Sequence, residues 1–152
     1  MNKEQLKQLA LDVNILLDKY IAVDKELHKR SASFWSIFTP IPFDLFKDKI
    51  EDIADELKLK QNTIAGLVDN KSQVQNQFRK TLLNYTAALI NSVTLLHQVI
   101  VDLAEASKGS RDRKLSFAEY QSNTQKYQDS MKNYFQYGQR LNRLFDQLDS
   151  GI

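Results

Sequence analysis

Apolar side chains recur at alternating spacings of three and four residues along most of this chain. That period places them on one face of an α-helix and leaves polar residues on the opposite face. Four such segments predict helices at about 3–31, 43–69, 72–107 and 116–149. Together they predict an all-α protein with a single domain, 1–152, folded as an antiparallel up-down four-helix bundle of long amphipathic helices.

The first and third segments carry the clearest patterns. The first is an unbroken a/d heptad stripe formed by Leu6, Leu9, Val13, Leu16, Tyr20, Val23 and Leu27. The third is widened by additional apolar residues, Leu83, Ile90, Val93 and Ile100. Its charge-free run 82–101 is long enough to cross a bilayer. Because polar residues such as Asn84 and Asn91 interrupt that run, we interpret it as the central helix of a bundle.

Local signals mark two of the helix boundaries. Ser116 and Glu119 have the spacing of a capping box, in which each side chain accepts a hydrogen bond from the other residue's backbone N–H. Pro40 and Pro42 lack the N–H that a helix interior requires, so the first helix is predicted to end before them and the second to start after them. The polar segment 107–114 is predicted to be the loop before the fourth helix.

The junction between the second and third helices has the weakest signal. Residues 69–72 are typical of a turn, yet none of them forbids a continuous helix. A helix over 44–106 would be about 95 Å long at about 1.5 Å per residue, which is improbable in a compact domain of this size. We therefore predict two separate helices, with a three-helix coiled coil as the alternative.

Composition narrows the function classes. The 152 residues include no cysteine and carry a net charge of +2, so disulfides and thiolate chemistry are excluded and nucleic-acid binding is not indicated. The two histidines, His28 and His97, lie in no metal-binding motif. An acidic cluster is interpreted as a solvated helix face; it consists of Glu51, Asp52, Asp55 and Glu56. We predict no enzymatic activity, no cofactor and no bound metal, and we identify no small-molecule substrate.

The connection between the first two helices is unusually apolar. We call residues 34–46 the aromatic tip, and its candidate contact residues are Phe34, Trp35, Ile37, Phe38, Ile41 and Phe43. In an up-down bundle the loop 107–115 lies at the same end, and it has four basic residues against one aspartate, a net charge of +3. These basic residues are Lys108, Arg111, Arg113 and Lys114. Apolar aromatic residues ringed by cations are typical of a surface that contacts anionic membranes.

Three interpretations of the aromatic tip remain open at the level of sequence. The tip could fold back as a hydrophobic plug over the end of the bundle, contact a protein partner or a second copy of the chain, or insert into an anionic bilayer. A large exposed apolar patch would favour the second or third interpretation over the plug.

The fourth helix has a polar seam. Tyr120, Tyr127 and Tyr134 are seven residues apart and share one heptad position, while Thr124 and Gly138 fall on the companion position. One interpretation is a core edge at which each phenol directs its hydroxyl to water or to a backbone carbonyl. The other is a groove that accepts a partner helix or a small ligand.

These features lead to two hypotheses of function. The first is a non-enzymatic interaction protein of the adaptor, chaperone or immunity type that binds a protein partner or itself through the aromatic tip or the helix-four seam. The second is a membrane-associating protein that inserts the tip into anionic bilayers. In architecture alone, the chain resembles components of α-helical pore-forming toxins and small bacterial bundle proteins. With no secretory signal visible, we expect a cytoplasmic location, and peripheral membrane association or export without such a signal stays open.

Overall fold

The computed structural model describes residues 1–32, 40–107 and 116–150. Within these ranges the chain forms four α-helices and no strand. The helices are α1 (Lys3–Ala32), α2 (Phe43–Ala65), α3 (Gln73–Ala106) and α4 (Phe117–Ser150). The predicted all-α four-helix architecture is confirmed, and the alternative with one continuous helix across the second junction is wrong.

Side-chain contacts show that successive helices run antiparallel. Lys60 of α2 reaches Asp12 of α1 at 2.7 Å, whereas Arg30 at the end of α1 lies over the ring of Phe46 at the start of α2. Asn123 near the start of α4 donates to Asp102 near the end of α3, whereas Phe145 near the end of α4 packs against Phe78 near the start of α3. The bundle therefore has two ends, and we call the one formed by the end of α1, the start of α2, the end of α3 and the start of α4 the loop end.

The core follows the predicted stripes. All seven positions of the α1 heptad are buried. The central helix of the bundle is α3, which packs against each of the other three helices and contributes thirteen buried residues. Over the same length α4 contributes only five, namely Tyr127, Ser130, Leu141, Leu144 and Leu148. The first half of α4 is therefore held mainly by polar contacts, and its second half by leucines.

The turn between α2 and α3 is fixed by Asn70. Its backbone N–H donates to Asn76 Oδ1 and its backbone carbonyl accepts from Asn76 Nδ2, at 2.9 and 2.7 Å. Its side-chain oxygen accepts from the N–H of Ser72, which is itself the N-cap of α3. The backbone N–H and carbonyl of Asn70 are thus bonded to a side chain and not to the backbone of a continuous helix. Helix α2 ends at Ala65, four residues earlier than the sequence predicts.

The predicted capping box at the start of α4 is present. Glu119 N–H donates to Ser116 Oγ at 3.1 Å, and Ser116 N–H donates to a carboxylate oxygen of Glu119 at 3.3 Å. This reciprocal pair satisfies two backbone donors that the helix itself cannot satisfy. The local sequence signal is thus confirmed atom by atom.

By length and composition α3 could cross a membrane, because it contains an 18-residue window with a mean hydropathy of 1.5. In the bundle 44% of that window is buried. The central helix of a packed bundle can have the same length and hydropathy.

Candidate functional site

Residues 34–39 of the aromatic tip and the basic loop residues 108–115 lie outside the described residues. This applies to eight of the candidate contact residues, Phe34, Trp35, Ile37, Phe38, Lys108, Arg111, Arg113 and Lys114. The two that are described, Ile41 and Phe43, are partly buried and pack against the hydrophobic core. Nearby, at the loop end, Leu45 is 49% exposed and Phe117 is 73% exposed. This end of the bundle therefore presents apolar side chains to solvent in addition to those that it buries.

The helix-four seam divides into two parts with different surroundings. Tyr134 lies edge-on to Tyr20 of α1 and to Tyr85 of α3, with ring centroids 6.3 and 6.4 Å apart. Gly138 faces the Tyr85 ring so closely that a Cβ atom there would be 3.3 Å from Tyr85 Cε2. This part of the seam is packing, in which a glycine admits an aromatic ring from α3. The other part, from Tyr120 to Tyr127, lines an open cleft.

A hydrogen-bonded chain crosses from α1 to α4 beside that cleft. The hydroxyls of Tyr20 and Tyr127 are 2.5 Å apart, and Tyr127 Oη donates to Asp24 Oδ1 at 2.7 Å. Because Tyr127 has one proton and gives it to Asp24, Tyr20 is the donor in the pair of phenols. The sequence predicted hydroxyls directed to water or to a backbone carbonyl, whereas Tyr127 bonds to two side chains of α1.

Burial is the main reason why these phenols hold their protons. It raises the pKa of Tyr127 and of Tyr20 well above the ordinary tyrosine value. The hydrogen bond that Tyr127 donates to Asp24 raises the pKa of Tyr127 further. Burial also raises the pKa of Tyr85 to about 12. The tyrosine cluster is therefore neutral near pH 7, and it adjoins the carboxyl group of Asp24.

We call the opening between α1, α3 and α4 at the loop end the α1–α4 cleft. Its volume is about 510 Å³, within the range of known ligand sites. It combines apolar, aromatic and polar groups from three helices. The lining residues are Asp24, Leu27, His28, Val99, Leu103, Tyr120, Thr124, Tyr127, Gln128 and Met131.

Asp24 is the acidic group of this cleft. Its Oδ1 accepts the bond from Tyr127 and lies 3.4 Å from His28 Nδ1, while its side chain is 22% exposed. His28 Nδ1 also lies 2.7 Å from the backbone carbonyl of Asp24, one helical turn earlier. The second oxygen, Oδ2, accepts no hydrogen bond from any described residue. A half-buried carboxylate with one satisfied oxygen and one open oxygen is thus presented to the cleft.

A second carboxylate fastens the start of α4 to the end of α3. Asp102 is 2% exposed, and it accepts hydrogen bonds from Gln98 Nε2 at 2.8 Å and from Asn123 Nδ2 at 2.9 Å. The sequence analysis did not single out Asp24, Asp102 or Asn123. The sequence signal for Asp24 was its position next to Val23, a residue of the apolar stripe of α1.

Two other groups of polar side chains differ from the lining of the α1–α4 cleft. A cleft of about 520 Å³ between α1 and α2 is lined by five charged side chains of both signs, which favours solvation over ligand binding. His97 Nε2 lies 2.9 Å from a carboxylate oxygen of Glu51. Within the described parts of the chain, no three His, Asp or Glu side chains form a group that could hold a metal ion.

The comparisons with known proteins add no relationship. The chain matches no protein-family model, no curated protein and no solved structure. Function is therefore argued from the geometry of the cleft and of the loop end.

Proposed function

We propose that this protein is a non-enzymatic interaction protein that binds a protein partner, or a second copy of itself, through the α1–α4 cleft. The observation that carries the proposal is the convergence of α1, α3 and α4 on one open cleft. Its apolar floor includes Leu27 and Val99, and its rim includes the polar side chains of Thr124 and Gln128. Binding sites are typically apolar concavities with a few fixed polar groups.

The chemistry of the lining supports recognition. Tyr127 keeps its proton near pH 7 because burial raises its pKa, so it serves as a fixed hydrogen-bond donor to Asp24. This bond fixes the orientation of the Asp24 carboxylate before a partner arrives. Preorganised polar groups on rigid helices lower the entropic cost of association.

A matched pair of substitutions tests the cleft. Gln128 and Gln139 are both exposed glutamines of α4, but only Gln128 lines the cleft. Gln128→Arg places a bulky side chain at the rim, and Gln139→Arg makes the same change elsewhere on the helix. We expect Gln128→Arg to abolish association, measured by sedimentation velocity for self-association and by quantitative affinity capture for another protein.

The outcome depends on the difference between the two variants. Association that is lost with Gln128→Arg and kept with Gln139→Arg supports the cleft. Association that persists in Gln128→Arg, or that both variants lose equally, contradicts it. Circular dichroism of both variants verifies that the helices are intact.

The exposed apolar residues at the loop end favour membrane association as a second candidate function. Leu45 belongs to the aromatic tip and lies in the first turn of α2, and Phe117 is the first residue of α4, directly after the basic loop. Apolar side chains next to cations bind anionic interfaces, since each cation adds about 1 kcal/mol near such a surface.

Vesicle binding tests this second function. Phe117→Ser and Leu45→Ser are expected to weaken co-sedimentation with anionic phosphatidylglycerol vesicles. Val68→Ser is the matched control, because Val68 is 78% exposed at the opposite end of the bundle. Trp35 is the only tryptophan of the chain, so its emission should shift to the blue with anionic and not with neutral vesicles. Binding that ignores lipid charge, or that Val68→Ser weakens equally, would count against a membrane-facing loop end.

A further inference from the structure

The open oxygen of Asp24 indicates what kind of group the α1–α4 cleft accepts. Tyr127 and the contact with His28 involve Oδ1 of this carboxylate, and Oδ2 receives no hydrogen bond from the described residues. Oδ2 is open to solvent, since no fully buried side-chain oxygen among the described residues lacks a partner. A cationic donor at this oxygen forms a stronger, charge-assisted hydrogen bond than a neutral donor does.

The walls around Asp24 suit the remainder of a cationic side chain. The partly exposed ring of Tyr120 lies among the lining groups, and aromatic faces attract ammonium and guanidinium ions. Apolar lining comes from Leu27, Val99 and Met131. Lysine and arginine place their methylene stems along apolar surface while their charged heads reach a polar group. The cleft presents these two environments side by side.

We propose that the occupant of the cleft is a lysine or arginine side chain of a protein partner, with its cationic head on Asp24 Oδ2 and its stem on the apolar lining. This inference rests on the proposed function and specifies the chemistry of the partner. The cleft opens at the surface between α1 and α4, where the rim residues His28 and Gln128 are exposed. A partner segment lying along this rim inserts one long side chain without displacing either helix.

A small probe tests the recognition of the cation. We would titrate ¹⁵N-labelled protein with n-hexylammonium and with n-hexanol, which has the same stem and no charge, and follow the amide resonances. The ammonium is expected to shift resonances of the cleft residues and to bind about tenfold more tightly than the alcohol. In Asp24→Asn the two probes should bind equally, because the amide still accepts from Tyr127 but attracts no cation.

A helical peptide tests the source of the cation. An alanine-rich peptide with one central lysine is compared with the same peptide carrying norleucine, which keeps the stem and removes the charge. Binding of the lysine peptide at least about tenfold more tightly than n-hexylammonium supports a protein side chain as the occupant. Equal affinity of the lysine peptide and the free amine would assign the cleft to small amines and overturn the proposal.

Different results would contradict the cation site at Asp24 and the docking role of the cleft. Equal binding of n-hexanol and n-hexylammonium, or shifts away from the cleft, would overturn the cation site while the response to Gln128→Arg still supports a docking cleft. Conversely, association that survives Gln128→Arg would overturn the docking cleft even if the ammonium binds at Asp24.

Discussion

At the scale of the residue, the hydroxyl of Tyr127 is held by two hydrogen bonds to α1. It bonds to a phenol and to a carboxylate of α1, at 2.5 Å from Tyr20 and 2.7 Å from Asp24. The ring is 2% exposed, so water cannot replace a lost partner. The heptad spacing predicted a tyrosine on the inner face of α4, but the partners of its hydroxyl come from residues more than a hundred positions earlier in the chain.

Removal of the Tyr127 hydroxyl should therefore lower the free energy of unfolding more than removal of the Tyr20 hydroxyl. Tyr127→Phe removes the hydroxyl that joins Tyr20 to Asp24, so Tyr20 keeps only its interaction with Tyr134 and Asp24 loses a donor. We expect it to lower the free energy of unfolding by about 2 kcal/mol. Tyr20→Phe leaves the bond between Tyr127 and Asp24 intact, so its effect should be about 1 kcal/mol. Urea unfolding monitored by circular dichroism measures both.

The control for this comparison is Tyr137→Phe. Tyr137 is a half-buried tyrosine of the same helix, and its hydroxyl bonds to none of the described residues. We expect a change of less than about 0.5 kcal/mol. Equal losses for Tyr127→Phe and Tyr20→Phe would show that the two hydroxyls do not form the directed chain.

At the scale of the element, α4 combines a strong helical pattern with one residue, Gly138, that is unfavourable in a helix. Gly138 in its interior costs about 1 kcal/mol relative to alanine. The structure explains the glycine, because a Cβ atom would be 3.3 Å from the Tyr85 ring, which is buried and packed edge-on against Tyr134. Helix propensity and close packing with α3 thus oppose each other at one position.

This opposition predicts a change of sign between two backgrounds. In the natural sequence, Gly138→Ala should leave stability unchanged or lower it, because the buried Tyr85 ring would have to shift by a few tenths of an ångström against Tyr134. In a Tyr85→Leu background the same substitution should raise the free energy of unfolding by about 1 kcal/mol. A gain of similar size in both backgrounds would mean that the ring does not restrict position 138.

At the scale of the whole molecule, buried tyrosines join three helices and keep their protons. Tyr20 of α1, Tyr85 of α3 and Tyr127 of α4 all have a raised pKa, with burial as the largest cause. In the unfolded chain a tyrosine ionises near pH 10. Above that pH the unfolded state loses protons that the folded state retains, so rising pH favours unfolding.

We therefore expect loss of stability in alkaline solution. These tyrosines should make no pH-dependent contribution below about pH 9, and above about pH 10 each one should lower the free energy of unfolding by up to about 1.4 kcal/mol per pH unit. For Tyr85 this decline should continue to about pH 12, the pKa of its folded state. Tyr85→Phe should show a shallower decline between about pH 10 and about pH 12 than the natural protein. Identical slopes would show that Tyr85 ionises equally in both states.

Much of the fold follows from the sequence alone. The heptad stripe of α1 and the capping box of Ser116 are local, because helix period and backbone capping depend on residues within a few positions of one another. The separation of the second and third helices was inferred instead from the length that a continuous helix would have. These signals determined the number and type of the helices. The end of α2 was missed by four residues, since Asn70 forms its network only after α3 has begun.

The candidate site depends on tertiary structure. The spacing of Tyr120 and Tyr127 identified a polar face on α4, but it could not show that α1 places Asp24 opposite that face, or that Gly138 admits a ring from α3. Periodicity specifies which face of a helix is buried, whereas the rotation and separation of packed helices depend on how all their side chains interlock. The sequence by itself therefore determined four amphipathic helices, and only their packing decided where a cleft opens and which carboxylate faces it.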